Sequence, residues 1–309
     1  MFLVSVKDKI IHDSYLGRMK PILFLLIASS IHLQVFSQKD TLFNGGNICQ
    51  SGDWQLIFTD EFNGNGLDQT KWVTWYPYTN DGSDQCEFCR THGEEGQVYL
   101  DSNIVVSNST LKLIARSQDV QWYGLKRQYS SGMIHSRQQF GMGRYEIRCK
   151  LPFGMGFWPA FWLFGDKAAE LDVFEIAGQR PHRHHMGIIS WKNHSTFNKR
   201  KWYRKDFSED FHIFSFEWDP YFVRFLVDEK EVWKVSLMKP KFGKVMRRCR
   251  HHKGKYKLQL AFPSVGEKLN IIANLAVGTV KTPFTKAPDA STVLPNQMEI
   301  DWIRVYQRK

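Results

Sequence analysis

The chain has 309 residues, of which 42% are hydrophobic and 24% are charged. This is enough apolar material for a large core, and it excludes a disordered or collagen-like chain. Forty-two Lys and Arg residues against 31 Asp and Glu residues give a formal net charge of +11, so an anionic partner or substrate has to be considered. Eleven Trp residues suit an aromatic core or flat platforms for sugar rings and bases, and composition does not separate these two uses.

The N-terminal region has the pattern of an export signal. Met19, a second candidate start, is followed by Lys20 and by the apolar run 22–31, which is too short to span a membrane, and small residues near Ser37 offer a cleavage site. We therefore predict a signal peptide at 1–37, an entry segment at 38–48 and one catalytic domain at 49–309, secreted or periplasmic and free of the membrane. The leader carries four basic and two acidic residues, so its removal lowers the net charge to +9.

Five cysteines leave at least one without a partner in the chain. Cys86 and Cys89 have a CxxC spacing that zinc and redox sites use, but no second CxxC accompanies them, and export favours a disulfide or free thiols. In the run 144–151, Cys149 shares one strand face with Tyr145 and Ile147, which predicts a core residue.

From Trp54 onward the sequence alternates short β-rich runs with turn residues, and hardly any stretch has a helical period. The clearest runs are 103–115, 144–151, 211–218, 222–227, 269–277 and 299–306. Neither a repeat period nor a Pro/Ser-rich linker interrupts them. The pattern predicts a single all-β domain built as a sandwich of two sheets.

Three carboxylates lie within the apolar, β-forming run 170–176. A strand has a side-chain period of two, so Glu170 and Asp172 share a face, whereas Glu175 points to the opposite face unless one residue is inserted. A β-bulge at 173–174 would insert that residue, and bulges are frequent at active sites. The Cα atoms of Glu170 and Glu175 would then lie roughly 13 Å apart, which lets the carboxyl groups reach the separation of about 5 Å that retaining glycosidases use. If these three carboxylates are considered alone, the alternative to an active site is a solvated strand face with an accidental charge pattern.

Motifs elsewhere in the chain give these carboxylates a context. They are FGMGFWPAFW at 153–162, TDEFNG at 59–64, FGMGRYE at 140–146, NLAVG at 274–278 and DWIRVY at 301–306. With them the chain resembles glycoside hydrolase family 16, in the ExDxxE branch of laminarinases, agarases and carrageenases. The resemblance implies a β-jelly roll of two antiparallel sheets with a concave substrate cleft, and an endo-acting hydrolase that retains anomeric configuration.

The resemblance also assigns roles to individual residues. Glu170 matches the nucleophile, Glu175 the general acid/base, and Asp172 the acid between them. Closely spaced carboxylates drive their pKa values apart, which suits one ionised and one protonated group. Trp158 and Trp162 match positions at the cleft, where an indole face stacks on a pyranose ring, with a place in the sandwich core as the alternative.

Two motifs depart from the family pattern, and one residue suggests a metal. Ser190 stands where family members have His in the stretch 187–191, and 94–97 is an incomplete match to the family's NELQ. Both positions line substrate subsites in the family, so Ser190 is a candidate substrate-binding residue and the glucan specificity stays open. Asp301 matches a carboxylate that helps some members hold a structural Ca²⁺, so calcium is expected there, while the chemistry requires no cofactor.

Basic residues cluster after the carboxylate strand, at 180–185, 199–205 and 247–252. A solvated loop is the usual explanation of such a run, but Arg180 and Arg183 are candidate binding residues because a guanidinium matches sulfate or carboxylate. The histidines of this run lack the regular spacing of a zinc site.

Three hypotheses follow for the function. The first is hydrolysis of a β-1,3-glucan, and the second is hydrolysis of a sulfated or anionic galactan such as agar, porphyran or carrageenan. The third is a non-catalytic glucan-binding protein, in which the carboxylates should have been lost. We expect a polysaccharide as partner, no nucleic acid, and a monomer.

Overall fold

The computed structural model describes residues 53–219, 222–236, 238–240, 256–258, 261–263 and 266–308. The predicted signal peptide and entry segment, Cys49 and the basic residues at 247–252 lie outside the described residues. Within the described ranges the chain forms nineteen strands and a short 3-10 helix. None of its helices there is long and apolar enough to cross a membrane.

The strands are β1 Trp54–Asp60, β2 Trp72–Val73, β3 Gln97–Tyr99, β4 Ile104–Ser107, β5 Thr110–Trp122, β6 Leu125–Ser131, β7 Met133–Ser136, β8 Gly143–Lys150, β9 Phe157–Gly165, β10 Ala169–Glu175, β11 Arg183–Ser190, β12 Ser195–Trp202, β13 His212–Trp218, β14 Phe222–Val227, β15 Lys230–Ser236, β16 Met238–Pro240, β17 Tyr256–Leu258, β18 Leu269–Val277 and β19 Asn296–Arg308, with the 3-10 helix at Asp101–Asn103 before β4.

Two large sheets form the sandwich. One has ten strands, in the order β15-β14-β13-β8-β19-β5-β6-β3, with β1 added beside β19 and β4 beside β5. The other has seven strands, in the order β12-β11-β10-β9-β18-β7-β2, and β16 pairs with β17. All pairings are antiparallel except β3 with β6. The predicted all-β sandwich is confirmed.

The core lies between the sheets and is built from alternate residues of each strand. On β8 the buried face carries Tyr145, Ile147 and Cys149, and on β9 it carries Phe161 and its neighbours of the same parity. Each such apolar side chain contributes about 1.5–3 kcal/mol by leaving water. Cys149 is a buried free thiol, so the predicted core position is confirmed.

The predicted runs correspond to strands with one difference. The run 103–115 is divided into β4 and β5, because Asn108 and Ser109 adopt left-handed backbone conformations with φ of 53° and 55°. Asn is among the few residues that tolerate this region without large strain. Because this turn contains no glycine, the sequence pattern predicts one continuous strand where the structure has two.

The seven-stranded sheet positions the candidate site. In β9, Phe157, Phe161 and Leu163 face the core, so the alternate residues Trp158 and Trp162 project from the other side of the sheet. We call this side the open face. Strand β10 lies between β9 and β11, and the predicted carboxylate run therefore occupies an interior strand of this sheet.

Candidate active site

A β-bulge in β10 aligns the three carboxylates. Asp172 pairs with Gly187 of β11, and Glu175 pairs with His185, so two residues of β10 oppose one residue of β11. The register with β9 shifts at the same place. The predicted bulge is confirmed, and it brings Glu170, Asp172 and Glu175 onto the open face.

Asp172 occupies a tightly enclosed position between the two glutamates. It is only 3% exposed, and a Cβ atom on its cross-strand neighbour Gly187 would lie 2.1 Å from an Asp172 carboxylate oxygen. A side chain at position 187 would therefore displace the carboxyl group. Glycine is needed at this position for close approach rather than for backbone freedom.

Burial and mutual repulsion shift the acidity of this group. Burial raises the pKa of Asp172 well above its usual range, and the charges of Glu170 and Glu175 and a hydrogen bond with Glu170 add to the rise. Burial and the charge of Glu170 raise the pKa of Glu175 to about 8. At neutral pH Glu175 is therefore mainly protonated.

The carboxylate of Glu170 has a donor from the loop after β11. Trp191 Nε1 donates a hydrogen bond to Glu170 Oε2 over 2.6 Å. A hydrogen bond to a charged acceptor favours the ionised form and restricts the side chain. Trp191 was not identified as a site residue from the sequence, although it ends the stretch 187–191 that we compared with the family.

His184 supports the bulge from the core side. Its Nε2 lies 2.8 Å from the carbonyl oxygen of Val173, a bulge residue. Since a carbonyl oxygen only accepts, Nε2 carries the proton and Nδ1 accepts from Tyr203 Oη, 3.3 Å away. Burial lowers the pKa of His184 to about 4, so the ring is neutral at pH 7. In the sequence, this residue lies within the basic run 180–185.

A buried chain of hydrogen bonds holds Trp162. Its Nε1 donates to Asn274 Oδ1 at 2.9 Å, and Asn274 Nδ2 donates to Tyr99 Oη at 3.0 Å. Tyr99 Oη donates to Glu95 Oε2 at 3.0 Å, and Gln97 Nε2 donates to the same oxygen at 2.6 Å. The incomplete NELQ match at 94–97 thus supplies two buried members of the network that fixes this side of the open face.

Aromatic rings cover the open face next to Trp162. Tyr76 and Tyr78 stack with ring centroids 5.5 Å apart and an interplanar angle of 8°. His92 lies 5.3 Å from Tyr76 and 6.0 Å from Trp162. Trp162 is 9% exposed, whereas Tyr78 is 54% exposed. Trp162 therefore supports this aromatic group from below, and Tyr78 offers the accessible ring.

Trp158 lies at the other side of the carboxylates. Its ring packs 4.9 Å from Phe284, which also contacts His185 at 4.8 Å. Within the described chain, the buried Trp158 Nε1 and Tyr76 Oη have no hydrogen-bond partner. Buried polar groups usually have a hydrogen-bond partner, so a ligand on the open face could form hydrogen bonds with these two groups.

Arg183 shares the strand face of the carboxylates, whereas Ser190 does not. Arg183 is on the open-face side of β11, and Arg180 is exposed in the preceding turn. Ser190 pairs with the core residue Ala169, is buried, and accepts a hydrogen bond from the Asn193 backbone N–H. It points away from the open face, so the structure gives no support to a role in substrate binding.

Asp301 lies on β19 of the opposite sheet and forms an ion pair with Arg148. The described residues contain no group of three or more His, Cys, Asp or Glu side chains that could hold a metal. Arg148 already compensates the Asp301 carboxylate, so these residues do not fit the calcium site that the family resemblance implies. Cys86 and Cys89 form a disulfide with a Cα–Cα distance of 5.2 Å, which settles the choice left open for this CxxC.

A bulged strand that lines up two glutamates and a buried aspartate, on the aromatic face of a β-sandwich, defines the class of jelly-roll glycoside hydrolases. The family model described as "Glycosyl hydrolases family 16" matches residues 94–246. The chain belongs to this family, and the predicted resemblance is confirmed.

Individual relatives agree with this assignment. "Glucan endo-1,3-beta-glucosidase A1" of Niallia circulans is 30% identical over 287 residues, which cover 82% of this chain and 38% of that protein. "Beta-glucanase" of Rhodothermus marinus is 28% identical over 281 residues, covering 82% of this chain and 85% of the relative. The solved catalytic domain of an endo-1,3-beta-glucanase (laminarinase) from Thermotoga petrophila RKU-1 has 27% identity and a TM-score of 0.66, and the match covers 84% of this chain and 99% of that chain.

Proposed function

We propose that this protein is an endo-acting, retaining hydrolase of a β-linked glucan with 1,3 linkages. The observation that carries the proposal is the bulge in β10, which places Glu170, Asp172 and Glu175 on one face. The names of the relatives from Niallia circulans and Thermotoga petrophila support the substrate.

The first half of the reaction uses the two glutamates in different protonation states. Glu170 attacks the anomeric carbon as a carboxylate and forms a glycosyl ester, while Glu175 gives its proton to the leaving glycosidic oxygen. A pKa of about 8 keeps Glu175 protonated at neutral pH. Asp172, whose pKa is raised and which is hydrogen-bonded to Glu170, orients the attacking carboxylate, as does Trp191.

The second half reverses the role of Glu175. Once the ester forms, Glu170 is neutral and no longer raises the pKa of Glu175, for which its charge is the second cause after burial. Glu175 can then accept a proton from the water that attacks the anomeric carbon, and Glu170 leaves as a carboxylate. Two inversions at the same carbon return the original configuration.

Substrate binding is assigned to the rings and unpaired polar atoms beside the carboxylates. The accessible ring of Tyr78 suits stacking on a pyranose, since an indole or phenol face packs on the apolar face of a sugar. The buried Tyr76 Oη and Trp158 Nε1 lack partners within the described ranges, and sugar hydroxyls would supply them. Tyr78 and Trp158 would thus contact sugars on the two sides of the cleaved bond.

An anionic galactan remains the second candidate substrate, because Arg183 lies two residues from His185, the β11 partner of Glu175, on the same strand face. A non-catalytic glucan-binding protein is disfavoured, since all three carboxylates are present and aligned. We further propose that the protein is secreted or periplasmic, on the strength of the leader pattern at 1–37. The expected monomer stays a prediction.

Digestion of laminarin, lichenan, agarose, porphyran and carrageenan, with sizing of the products over time, tests the proposal. Endo-action on a β-1,3-glucan gives a ladder of intermediate oligosaccharides from laminarin before small products accumulate. Glu170→Gln and Glu175→Gln variants, matched in volume and folded by circular dichroism, should each lose most of the activity. Binding to laminarin without any cleavage by the wild type would instead identify a glucan-binding protein.

A further inference from the structure

A cationic surface lies on the open face directly beside Glu175. The strand register leads from Glu175 to His185 of β11 and from His185 to Arg200 of β12. Arg183 precedes His185 by two residues and pairs with Trp202. Directly paired residues of antiparallel strands share a face, so all four side chains project from the same side as Glu175. We call Arg183, His185, Arg200 and Trp202 the cationic patch.

The positive charge of this patch is not compensated by nearby carboxylates. In the part of the chain that the structure describes, neither Arg183 nor Arg200 forms an ion pair, and the same is true of Arg180. Burial and the charges of Arg183 and Arg200 lower the pKa of His185 to about 3. The imidazole is therefore neutral at pH 7 and can both donate and accept a hydrogen bond.

Arg183 is the most constrained member of the patch. Its guanidinium carbon lies 5.1 Å from the Trp202 ring centroid, and its buried Nε has no hydrogen-bond partner among the described residues. Stacking on an indole fixes the plane of the guanidinium, so less side-chain entropy is lost when two of its N–H groups pair with an anion. Trp202 itself is 57% exposed and offers a ring face to a sugar.

The cationic patch lies within side-chain reach of Glu175, and therefore near the glycosidic bond that would be cleaved. Adjacent strands lie about 5 Å apart, so the backbone of Arg200 is about 10 Å from that of Glu175, within reach of a long side chain. A fixed guanidinium, a second unpaired guanidinium, a neutral imidazole and an exposed indole together fit a sugar that carries an oxyanion. A neutral sugar would offer these two guanidinium groups no opposite charge.

We propose that the cationic patch binds an anionic substituent, a sulfate ester or a carboxylate, on the sugar next to the glycosidic bond that is cleaved. This rests on the proposed function and names the substrate class more closely: a β-glycan that carries negative charge. A glycan is favoured over a nucleic acid or an anionic membrane, because the patch shares its face with the three carboxylates.

Three polymers with one backbone test the proposal: laminarin, laminarin sulfated to a low degree, and laminarin oxidised to carry carboxylates. The readout is the ratio of kcat/KM on each charged polymer to kcat/KM on laminarin, at low and high ionic strength. We expect a ratio above one for wild type that falls as salt rises. In the double variant Arg183→Gln/Arg200→Gln the ratio should fall about tenfold or more, because each substitution removes a hydrogen bond between charged groups. The exposed single variant Arg200→Gln should show part of this loss.

A matched control removes two positive charges elsewhere. Lys230 and Lys234 are exposed on β15, at the edge of the other sheet, and Lys230→Gln/Lys234→Gln should leave the ratio unchanged. Preference for the sulfated or for the carboxylated polymer identifies the anion. Efficient cleavage of laminarin with equal ratios in all variants would overturn the cationic patch and leave the proposed function standing. Cleavage of none of the polymers would contradict the proposed function itself. Binding of the protein to DNA or anionic vesicles, with no effect of substrate charge on glycan cleavage, would assign the cationic patch to another partner.

Discussion

Trp191 Nε1 donates to Glu170 Oε2 over 2.6 Å, so a loop after β11 controls a carboxylate on β10. Trp191 is 45% exposed, which leaves this contact open to solvent and places it at the rim of the open face. The donor compensates part of the charge of Glu170 and restrains its carboxylate.

Replacing Trp191 by Phe should lower kcat while the protein stays folded. A hydrogen bond to a charged group is worth about 1.5–3 kcal/mol when buried, and solvent access reduces this, so we expect a loss of about tenfold. Kinetics on laminarin oligosaccharides, with melting temperatures, would measure it. Trp54→Phe is the matched control, since Trp54 lies on β1 and stacks with Arg308; an equal loss in both variants would show that the contact with Glu170 is irrelevant.

Glu170→Ala should be inactive on polysaccharide and regain turnover with azide on an activated aryl glycoside. Azide enters the space of the missing carboxylate and attacks the anomeric carbon once, so the product is a glycosyl azide of inverted configuration. Nuclear magnetic resonance of the product gives the configuration. The corresponding Glu175→Ala variant should give an azide product of retained configuration, and the reverse pattern would exchange the two roles.

The loss of activity at alkaline pH should reflect the loss of the proton from Glu175. Its pKa is raised to about 8, so the protonated form needed for proton donation is present below that pH and is lost as the pH rises through it. We expect kcat/KM on a glycoside with a poor leaving group to fall about tenfold per pH unit above 8. A dinitrophenyl glycoside needs no proton donor, so its profile should lack this limb. An onset near pH 4.5 on both substrates would contradict the assignment.

His184→Phe should destabilise the bulge and reduce activity. The substitution keeps a ring of similar size but removes the donor to the Val173 carbonyl, which leaves a buried acceptor unpaired at a cost of about 1–3 kcal/mol. Tyr203→Phe removes only the hydroxyl beside Nδ1 and should cost less. Urea unfolding and kcat on laminarin oligosaccharides measure the two effects.

The His184→Phe variant should also change how the free energy of unfolding depends on acidic pH. The folded-state pKa of His184 is about 4, against an ordinary value of 6.5, so the unfolded chain binds the proton first as the pH falls. This residue should therefore lower the wild-type free energy of unfolding by about 2 kcal/mol between pH 8 and pH 5. The stability difference between wild type and His184→Phe should shrink accordingly; a difference independent of pH would show that His184 is not neutral and buried.

The ion pair of Asp301 leads to a test of the predicted calcium site. Since Arg148 pairs with this carboxylate, we expect EDTA to leave the melting temperature unchanged and elemental analysis to find no bound calcium. A ligand that binds only the folded state raises the melting temperature, so a fall on adding EDTA that calcium restores would reinstate the site implied by the family resemblance.

Local sequence determined much of the fold and the reacting group. The period of two along each run is a property of neighbouring residues, and it identified the strands around Cys149 and on both sides of the sandwich. The spacing of Glu170, Asp172 and Glu175 places all three acids on one strand face only if one residue is inserted. The spacing alone left a solvated strand face as the alternative, and motifs elsewhere in the chain supported the catalytic interpretation.

Only the tertiary structure decided what surrounds these acids. Ser190 was assigned to the substrate from its place in a motif, but its register with Ala169 turns it to the core side. Trp191, His184 and the pair His185–Arg200 acquired their roles through contacts between elements distant in sequence or across a strand pairing. Such contacts depend on which strands become neighbours and in which register, and this is set by burial summed over the whole sandwich rather than by the residues of one strand.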